Sequence, residues 1–401
     1  MHNIRKIDGD LYYTGCSDRR LRLFESAYPI PQGISYNSYL LTDDKTVLFD
    51  TVDKACSVQF FENLKAGLDG RKLDYLVVHH MEPDHAALIK DLVSNYPEVK
   101  IVCTAKSKDM INQFFNIDID ALIVKDGDTL NTGKHELIFV TAPMVHWPEV
   151  MVTYDKTTGA LFSADAFGAF GAINGTLFDD DVNWERDYLD EARRYYTNIV
   201  GKYGVQVQNL LKKAKALGVK TIYPLHGLII KKNVDLFMDK YNRWSTYTPE
   251  ESGVLIAFSS VYGNTENAVE ILAANLADRG VRNIRMYDVS YTHPSIVLSN
   301  AFKYSHIVLA TTTYNMGVFE SMEQFLNILK SHNLQNRKFV LIENGSWAST
   351  CGGQMQTMLE GLKGSEFITE KLCIKSSLKE EQVSEIETIA EVLALDINRE
   401  E

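Results

Sequence analysis

The chain has 401 residues, 45% apolar and 23% charged, which is enough for two globular domains. Its 41 basic and 53 acidic residues leave a formal charge of -12, which opposes non-specific binding to nucleic acid or to an anionic membrane. No apolar run approaches the roughly 20 residues of a membrane helix and the sequence begins without a signal-peptide pattern, so we expect a cytoplasmic protein that binds neither nucleic acid nor membrane.

Up to about Tyr247, the predicted strands first come in pairs and then alternate with helices. They are "GDLYYTGC", "ISYNSYLLTDDKTVLFDTV", "LDYLVVHH", "KIVCT", "DALIVKD", "HELIFVTAP", "MVTYD" and "GALFSADA". A helical region from about Trp184 to Leu217 and the strand "TIYPLHG" follow. The five cysteines are scattered, so they indicate neither a disulfide framework nor a C-x-x-C metal site.

Ionisable side chains collect at the carboxyl ends of four of these strands. The loop after "LDYLVVHH" has the pattern H-x-E-x-D-H, and single residues follow three later strands: His80, Glu82, Asp84, His85, His146, Asp165 and His226. Each one alone is more simply a helix cap or a hydrogen-bonded buried histidine. Four strand ends with the same chemistry instead predict a shared metal site, because loops at carboxyl strand ends can point several side chains at one place.

The composition of this set predicts two metal ions. Four imidazoles and three carboxylates exceed the ligands that one ion needs and suffice for two if a carboxylate bridges them. Carboxylate-rich mixtures suit iron or manganese better than zinc, although the charge balance alone excludes none of the three.

After the polar segment "STYTPEESG", Ser245 to Gly253, the pattern changes. The strands "VLIAFSS", "IRMYDVS", "HIVLATTTY" and "KFVLIENGS" each precede a helix, and a short strand near Phe367 and a last helix from about Leu378 complete the chain. Regular alternation of buried strands and helices predicts a doubly wound parallel sheet. We therefore place one domain at residues 1–248 and a second at residues 249–401.

The loop "SSVYGNTE" after the first strand of this second domain has the features of a phosphate site: hydroxyl donors, a glycine and a helix amino terminus. Two further loops, "TTTYNMG" and "NGSWASTCGG", follow the third and fourth strands, where such folds bind ligands. The candidate cofactor residues are Ser260, Val261, Tyr262, Gly263, Asn264, Thr265, Thr312, Thr313, Tyr314, Asn315, Gly317, Gly345, Ser346, Trp347 and Gly352. The motif G-x-G-x-x-G, which a Rossmann domain uses to bind FAD or NAD, is absent from the position where it would be needed. Either of two aromatic side chains, Tyr314 or Trp347, is a candidate to pack on the ring of a bound cofactor.

The H-x-E-x-D-H spacing, the three later ligand candidates and the following flavodoxin-like half resemble the flavodiiron proteins over essentially the whole chain. The resemblance implies an α/β fold: a metallo-β-lactamase-like αββα sandwich followed by a flavodoxin-like doubly wound parallel sheet. It also implies FMN and two iron ions. One iron is expected on His80, Glu82 and His146, the other on Asp84, His85 and His226, with Asp165 bridging.

Two positions in this comparison carry particular weight. Zinc hydrolases of the metallo-β-lactamase fold typically have H-x-H-x-D-H, and Glu82 replaces their second histidine with a hard anionic ligand. In some members of the family the histidine that matches His85 is turned away and water takes its place. His79 matches no ligand position, and Glu149 is a candidate partner for a ligand.

The resemblance implies an oxidoreductase that reduces dioxygen to water, nitric oxide to nitrous oxide, or both. Electrons are expected to come from an external rubredoxin or flavin reductase, and the chains to form a head-to-tail homodimer or a tetramer. Glu25, Tyr28, Tyr195 and Tyr196 are candidate pocket residues near the open metal face. Two alternatives stay open: a zinc-dependent hydrolase fused to a flavodoxin, and an electron carrier with a vestigial metal site.

Overall fold

The computed structural model describes residues 1–400 of the chain. These residues divide into two compact units, Met1–Asn242 and a second that begins at Arg243. Among the described residues, none of the helices combines the length and the apolar character that crossing a bilayer requires.

The first unit contains sixteen strands. They are β1 Arg5–Asp8, β2 Leu11–Tyr13, β3 Cys16–Asp18, β4 Leu23–Phe24, β5 Tyr28–Pro29, β6 Ile34–Tyr36, β7 Tyr39–Thr42, β8 Thr46–Phe49, β9 Tyr75–Val77, β10 Lys100–Cys103, β11 Ala121–Ile123, β12 Thr129–Asn131, β13 Glu136–Thr141, β14 Met151–Asp155, β15 Ala160–Phe162 and β16 Thr221–Tyr223.

Most of these strands form two sheets, with the orders β1-β2-β7-β8-β9-β10-β11 and β12-β13-β14-β15-β16. The sheets pack face to face, since one apolar core draws side chains from both. At its centre the ring of Phe49 in β8 stacks on that of Phe162 in β15, with centroids 3.9 Å apart. The pairs β8–β9, β9–β10 and β15–β16 are parallel, so both sheets present carboxyl strand ends for a site.

The helices of the first unit lie outside these sheets and in the connections. They are α1 Ser57–Leu68, α2 Pro83–Ala86, α3 Ile89–Asn95, α4 Ala105–Phe115, α5 Trp184–Asp187, α6 Leu189–Tyr195, α7 Gly204–Leu217 and α8 Val234–Ser245. The predicted continuous helix from Trp184 to Leu217 is broken: a π-helical turn (Tyr196–Val200) and a 3-10 turn (Gly201–Tyr203) separate α6 from α7. Glycine weakens regular helix, and here Gly201 begins the 3-10 turn and Gly204 follows it.

The second unit alternates strands and helices as expected. It contains β17 Glu251–Phe258, α9 Asn264–Asp278, β18 Ile284–Asp288, α10 Pro294–Lys303, β19 Tyr304–Tyr314, β20 Gly317–Val318, α11 Glu320–Ser331, β21 Lys338–Asn344, α12 Cys351–Leu359, β22 Glu366–Phe367, β23 Leu372–Ile374 and α13 Glu380–Glu400.

Its main sheet is parallel and runs β18-β17-β19-β21-β22, with β23 pairing β21 beyond β22. This is the strand order 2-1-3-4-5, whose topological switch point lies between β17 and β19. The sequence predicted the short strand near Phe367 but missed β23, because its three residues, Leu372–Ile374, are too few to show a periodicity. The observed α/β fold confirms the predicted fold class.

Candidate metal centre

The loop between β9 and α2 places four ionisable side chains in a short span of backbone. Pro83 occupies the first turn of α2, where its missing N–H is harmless, and Glu82 is the N-cap residue. The Glu82 side chain makes no capping hydrogen bond, and neither Asp84 carboxylate oxygen has a hydrogen-bond partner in the described structure. These carboxylates therefore do not serve the helix terminus.

Four side chains converge on one point beside this loop. Nε2 of His80 lies 3.2 Å from Oε2 of Glu82, and Nε2 of His146 lies 3.0 Å from the same oxygen. Oδ2 of Asp165 lies 3.2 Å from Nε2 of His80 and 3.4 Å from Nε2 of His146. The donor atoms of these four residues all lie within 4.8 Å of one another, as the ligands of one metal ion would.

A second group lies next to the first. Nε2 of His85 is 3.0 Å from Nε2 of His226, and both face Oδ2 of Asp84, at 3.3 Å and 3.2 Å. Two imidazole nitrogens that face each other with a carboxylate beside them fit a shared cation, which removes the need for a proton between them.

Asp165 connects the two groups. Its Oδ2 faces His80 and His146, whereas its Oδ1 lies 3.2 Å from Nε2 of His85 and 3.6 Å from Nε2 of His226. Asp165 is 1% exposed, and neither oxygen has a satisfied hydrogen bond. One carboxylate that offers one oxygen to each donor group has the geometry of a ligand bridging two ions.

The electrostatics of the centre match this chemistry. Burial disfavours the charged form of Asp165, but His85, His146 and His80 around it lower its pKa well below the usual range. Burial likewise opposes a charge on His146, yet Asp165 and Glu82 raise its pKa to about 9. Buried carboxylates that are compensated only by nearby imidazoles are a strong fit for divalent cations.

Hydrogen bonds behind the centre orient the imidazoles. Oε1 of Glu149 accepts from Nδ1 of His80 (2.8 Å) and from the backbone N–H of Met81 (2.9 Å). Nδ1 of His226 donates to the carbonyl oxygen of Ser35 (2.6 Å). Sequence reasoning singled out Glu149 but missed Ser35, because a backbone carbonyl carries no sequence signature. Partners of this kind fix the tautomer and the aim of a ligand.

His79 lies behind the loop. Its Nδ1 lies 2.5 Å from Oδ2 of Asp50, and its Nε2 lies 2.7 Å from the hydroxyl oxygen of Thr153. Both ring nitrogens are thus engaged away from the two donor groups, which agrees with its exclusion from the predicted ligands.

The four pocket candidates have different surroundings in the structure. Glu25, which is exposed and lies in the left-handed backbone region with φ +50°, stands beside Glu82; partial desolvation of its carboxyl group and that neighbour raise its pKa to about 8. The ring of Tyr195 is 5.4 Å from that of His226, and its buried hydroxyl has no hydrogen-bond partner. Tyr28 donates to the carbonyl oxygen of Asn198 (3.3 Å). Tyr196 packs against the ring of Tyr241, with centroids 4.9 Å apart.

In the second unit, the three predicted cofactor loops follow β17, β19 and β21, at the carboxyl edge of the sheet. The first loop ends at Gly263, which has φ +86° and is the N-cap of the fifteen-residue helix α9. Its N–H donates to Oγ of Ser260 (3.0 Å), which tightens the turn. Thr265, in the first turn of α9, is buried and accepts from Nδ2 of Asn344 (3.3 Å).

Hydrogen bonds hold the other two loops together. Oγ1 of Thr313 accepts from the N–H of Thr350 (2.9 Å), and Thr312 donates to the carbonyl oxygen of Asn344 (3.3 Å). At Gly345 any Cβ would lie 2.6 Å from the carbonyl oxygen of Ala348, so only glycine fits.

Asn315, with φ +48°, lies on the tight connection from β19 to β20, and Gly317 begins β20. Ser346 lies 3.0 Å from the hydroxyl oxygen of Ser376. Val261 is partly exposed beside Gly263. Asn264 begins α9. The N–H of Gly352, in contrast, donates to Oε2 of Glu343 at 2.7 Å and is already engaged within the protein.

Large aromatic side chains stand out at this edge. Tyr262 and Trp347 are each 91% exposed, and Tyr314 is 47% exposed. Exposed aromatic side chains at the switch point of a doubly wound sheet fit a planar ring. The glycine-capped amino terminus of α9 beside them fits a phosphate group on the same ligand.

Comparison with known proteins agrees with the two predicted domain types. Residues 34–227 match the family model of ODP family beta lactamases, and residues 256–388 match that of flavodoxins. The anaerobic nitric oxide reductase flavorubredoxin of Escherichia coli is 29% identical over 360 residues, which are 88% of this chain and 74% of that protein.

Solved structures agree over nearly the whole length. The rubredoxin oxygen:oxidoreductase of Desulfovibrio gigas superposes with a TM-score of 0.92 at 26% identity, covering 99% of both chains. A mutant of the flavo di-iron protein of Thermotoga maritima gives a TM-score of 0.89 at 25% identity, covering 98% of both chains. With a β-lactamase-like domain that carries two converging donor groups, followed by a flavodoxin domain, the chain is similar to the flavodiiron proteins over nearly its whole length.

Proposed function

We propose that this protein is an oxidoreductase dependent on FMN and two iron ions, which reduces dioxygen to water, nitric oxide to nitrous oxide, or both. The observation that carries the proposal is the position of Asp165, whose two oxygens face two separate groups of buried donors. The similar proteins are named a nitric oxide reductase and an oxygen oxidoreductase, which supports the same reaction class.

The proposed ligands are His80, Glu82 and His146 for one iron and Asp84, His85 and His226 for the other, with Asp165 shared. Their unsatisfied buried oxygens support this assignment. For His85, the support is an Nε2 atom that faces both His226 and Asp165. The mixture of imidazole and carboxylate favours iron over structural zinc.

The proposed FMN contacts are the three loops of the second unit, with its phosphate at the start of α9 and its ring among the exposed aromatics. FMN supplies electrons singly or in pairs, and the iron pair supplies an open coordination face where a diatomic oxidant can be reduced. The residues of the chain orient the metal ligands and line the centre. Glu149 and Ser35 hold the imidazoles, and Tyr195 presents a buried hydroxyl beside the centre.

We further propose domain limits of 1–248 and 249–401, a cytoplasmic location, an external rubredoxin or flavin reductase as electron donor, and a head-to-tail homodimer or tetramer. In the dimer, the flavin of one chain serves the metal ions of its partner. Choice between the two gases is assigned to side chains at the open face, of which Glu25 and Tyr195 are the best supported by their positions.

The decisive experiment measures metal content together with consumption of each gas by the anaerobically reduced protein. We expect about two irons and one FMN per chain, with turnover of at least one gas. Asp165→Ala should lose turnover and iron while it keeps FMN. Zinc with ester or thioester cleavage would favour the hydrolase instead. An FMN protein that consumes neither gas would favour an electron carrier.

A further inference from the structure

A cleft in the first unit contains two cysteines. It has a volume of about 550 Å³, and both Cys16 and Cys56 line it. Cys16 begins β3 and Cys56 ends the 3-10 turn Lys54–Cys56, two elements that contact each other. The side-chain interaction with Cys56 is the largest cause that raises the pKa of Cys16, followed by burial. The two thiols are therefore neighbours.

The two cysteines occupy unequal environments. Cys56 is the N-cap residue of the twelve-residue helix α1, and its side chain makes no capping hydrogen bond. Cys16 instead sits on a strand at the edge of the cleft. A thiol at the amino terminus of a helix next to a second thiol is the arrangement of an attacking and a resolving cysteine.

Basic side chains outnumber acidic ones in the lining of the cleft, and the carboxylates of Asp18 and Asp53 lie near Cys16. Arg5, Arg19 and Arg20 line the cleft, while Glu62 is the one acidic residue of the lining. Arg19 also donates to the carbonyl oxygen of Ile173 (2.7 Å), which holds its guanidinium at the wall. A small molecule that reaches the thiols from this side meets a positive surface, which favours an anionic one.

We propose that Cys16 and Cys56 are a redox-active dithiol that undergoes thiol–disulfide exchange with a small anionic disulfide bound in this cleft. The Cys56 thiolate attacks one sulfur of that disulfide, forms a mixed disulfide and releases one thiol. Cys16 then attacks Cys56 Sγ and loses its proton to the second departing thiolate. Two electrons and two protons pass to the small disulfide, which becomes two thiols, and the protein retains a Cys16–Cys56 disulfide.

The test uses the full-length, metal- and FMN-loaded protein with oxidised glutathione as the anionic probe, read by mass spectrometry of the intact chain and of its peptides. We expect the loss of two hydrogen atoms and a linked Cys16–Cys56 peptide, both reversed by dithiothreitol. In Cys16→Ser, Cys56 should instead keep one glutathionyl group. Circular dichroism and bound FMN check that the variant is folded.

Cys373→Ser is the matched control, since Cys373 is the only one of the five cysteines that is not buried. It should leave the linked peptide unchanged. Modification of Cys373 without a Cys16–Cys56 link would overturn the proposal, because reaction would then follow exposure alone. At low salt, oxidised glutathione should react about tenfold faster than the cationic disulfide cystamine. Equal rates would overturn the anionic class of the ligand.

Discussion

At the scale of single residues, Glu149 shows how a side chain outside the ligand set governs the metal centre. It is fully enclosed, and its Oε1 holds both the His80 ring and the Met81 amide. Glu149→Gln replaces an anionic acceptor with a neutral one, so the His80 ring becomes less basic and less firmly aimed. We expect iron affinity to fall about tenfold, by chelator competition.

The control for this change is Glu136→Gln. Glu136 lies on β13, and its exposed carboxylate pairs with Lys156. It should leave iron affinity unchanged. Equal iron affinity in Glu149→Gln and in the parent protein would show that the hydrogen bond to His80 does not support metal binding.

Glu82 is the residue at which we expect the choice of metal to be decided. Its Oε2 lies between the ring nitrogens of His80 and His146. Glu82→His exchanges a hard anionic ligand for imidazole, so competition between iron and zinc should shift toward zinc. The measurement is metal content after loading from an equimolar mixture, with the parent protein loaded in parallel. An unchanged ratio would assign the preference to the other ligands.

At the scale of elements, the start of α9 couples backbone conformation to the proposed flavin phosphate site. Gly263→Ala forces a Cβ into the left-handed region at φ +86°, at a cost of about 1 kcal/mol. The alanine variant should therefore bind FMN roughly fivefold more weakly, as measured by fluorescence titration. Gly280→Ala is a matched control, because Gly280 has the same φ, lies beyond the other end of α9 and has no atom within 4 Å of the added Cβ. Equal FMN affinity in the two variants would contradict the assignment.

The last helix, α13, is linked to the sheet by a partly buried polar cluster. Oδ2 of Asp396 lies 2.6 Å from Nζ of Lys338 and 3.0 Å from Nε2 of His306. Burial raises the pKa of Asp396, but the hydrogen bonds from Lys338 and His306 outweigh it and lower the pKa. Asp396→Asn should lower the free energy of unfolding by about 1–2 kcal/mol at pH 7, in urea titrations.

The pH dependence of this cluster follows from the lowered pKa. The stability that Asp396 contributes is present above its unfolded pKa of about 3.9 and is lost as the pH falls through the folded value. The difference between parent and Asp396→Asn should therefore shrink below about pH 4. Glu387→Gln, an exposed change on the same helix, should have no effect at either pH. A difference as large at pH 3 as at pH 7 would mean that the ion pair is not its cause.

At the scale of the whole molecule, the proposed head-to-tail dimer can be tested by mixing two inactive variants. Asp165→Ala lacks the shared ligand, and Gly263→Asp places a negative charge at the proposed phosphate site. If the flavin of one chain serves the metals of the other, random exchange makes half of the dimers mixed, with one working pair each. We expect about a quarter of the parent activity per chain.

The control for mixing is each variant mixed with itself, which should remain inactive. No recovery despite exchange, monitored by native mass spectrometry, would mean that electrons pass between the flavin and metals of the same chain.

The amino-acid sequence by itself determined the fold class and most of the candidate site. Alternation of strands and helices is visible as short-range periodicity, which is why a doubly wound parallel sheet could be predicted for the second unit. His80, Glu82, Asp84 and His85 lie within one loop, so their proximity follows from chain connectivity. The three later candidates could be found because each stands at a strand end. The π-helical break after Tyr195 and the strand β23 were missed, since neither has a local pattern of its own.

The tertiary structure alone decided the relations that depend on how the two sheets of the first unit pack. The oxygen of Asp165 that faces each histidine, and the inward orientation of His85, depend on how the sheet that contains β9 packs against the sheet that contains β15. The same packing puts Cys56 beside Cys16. Distances between side chains that are far apart in the chain are set by core packing, and a pattern in the linear sequence does not report them.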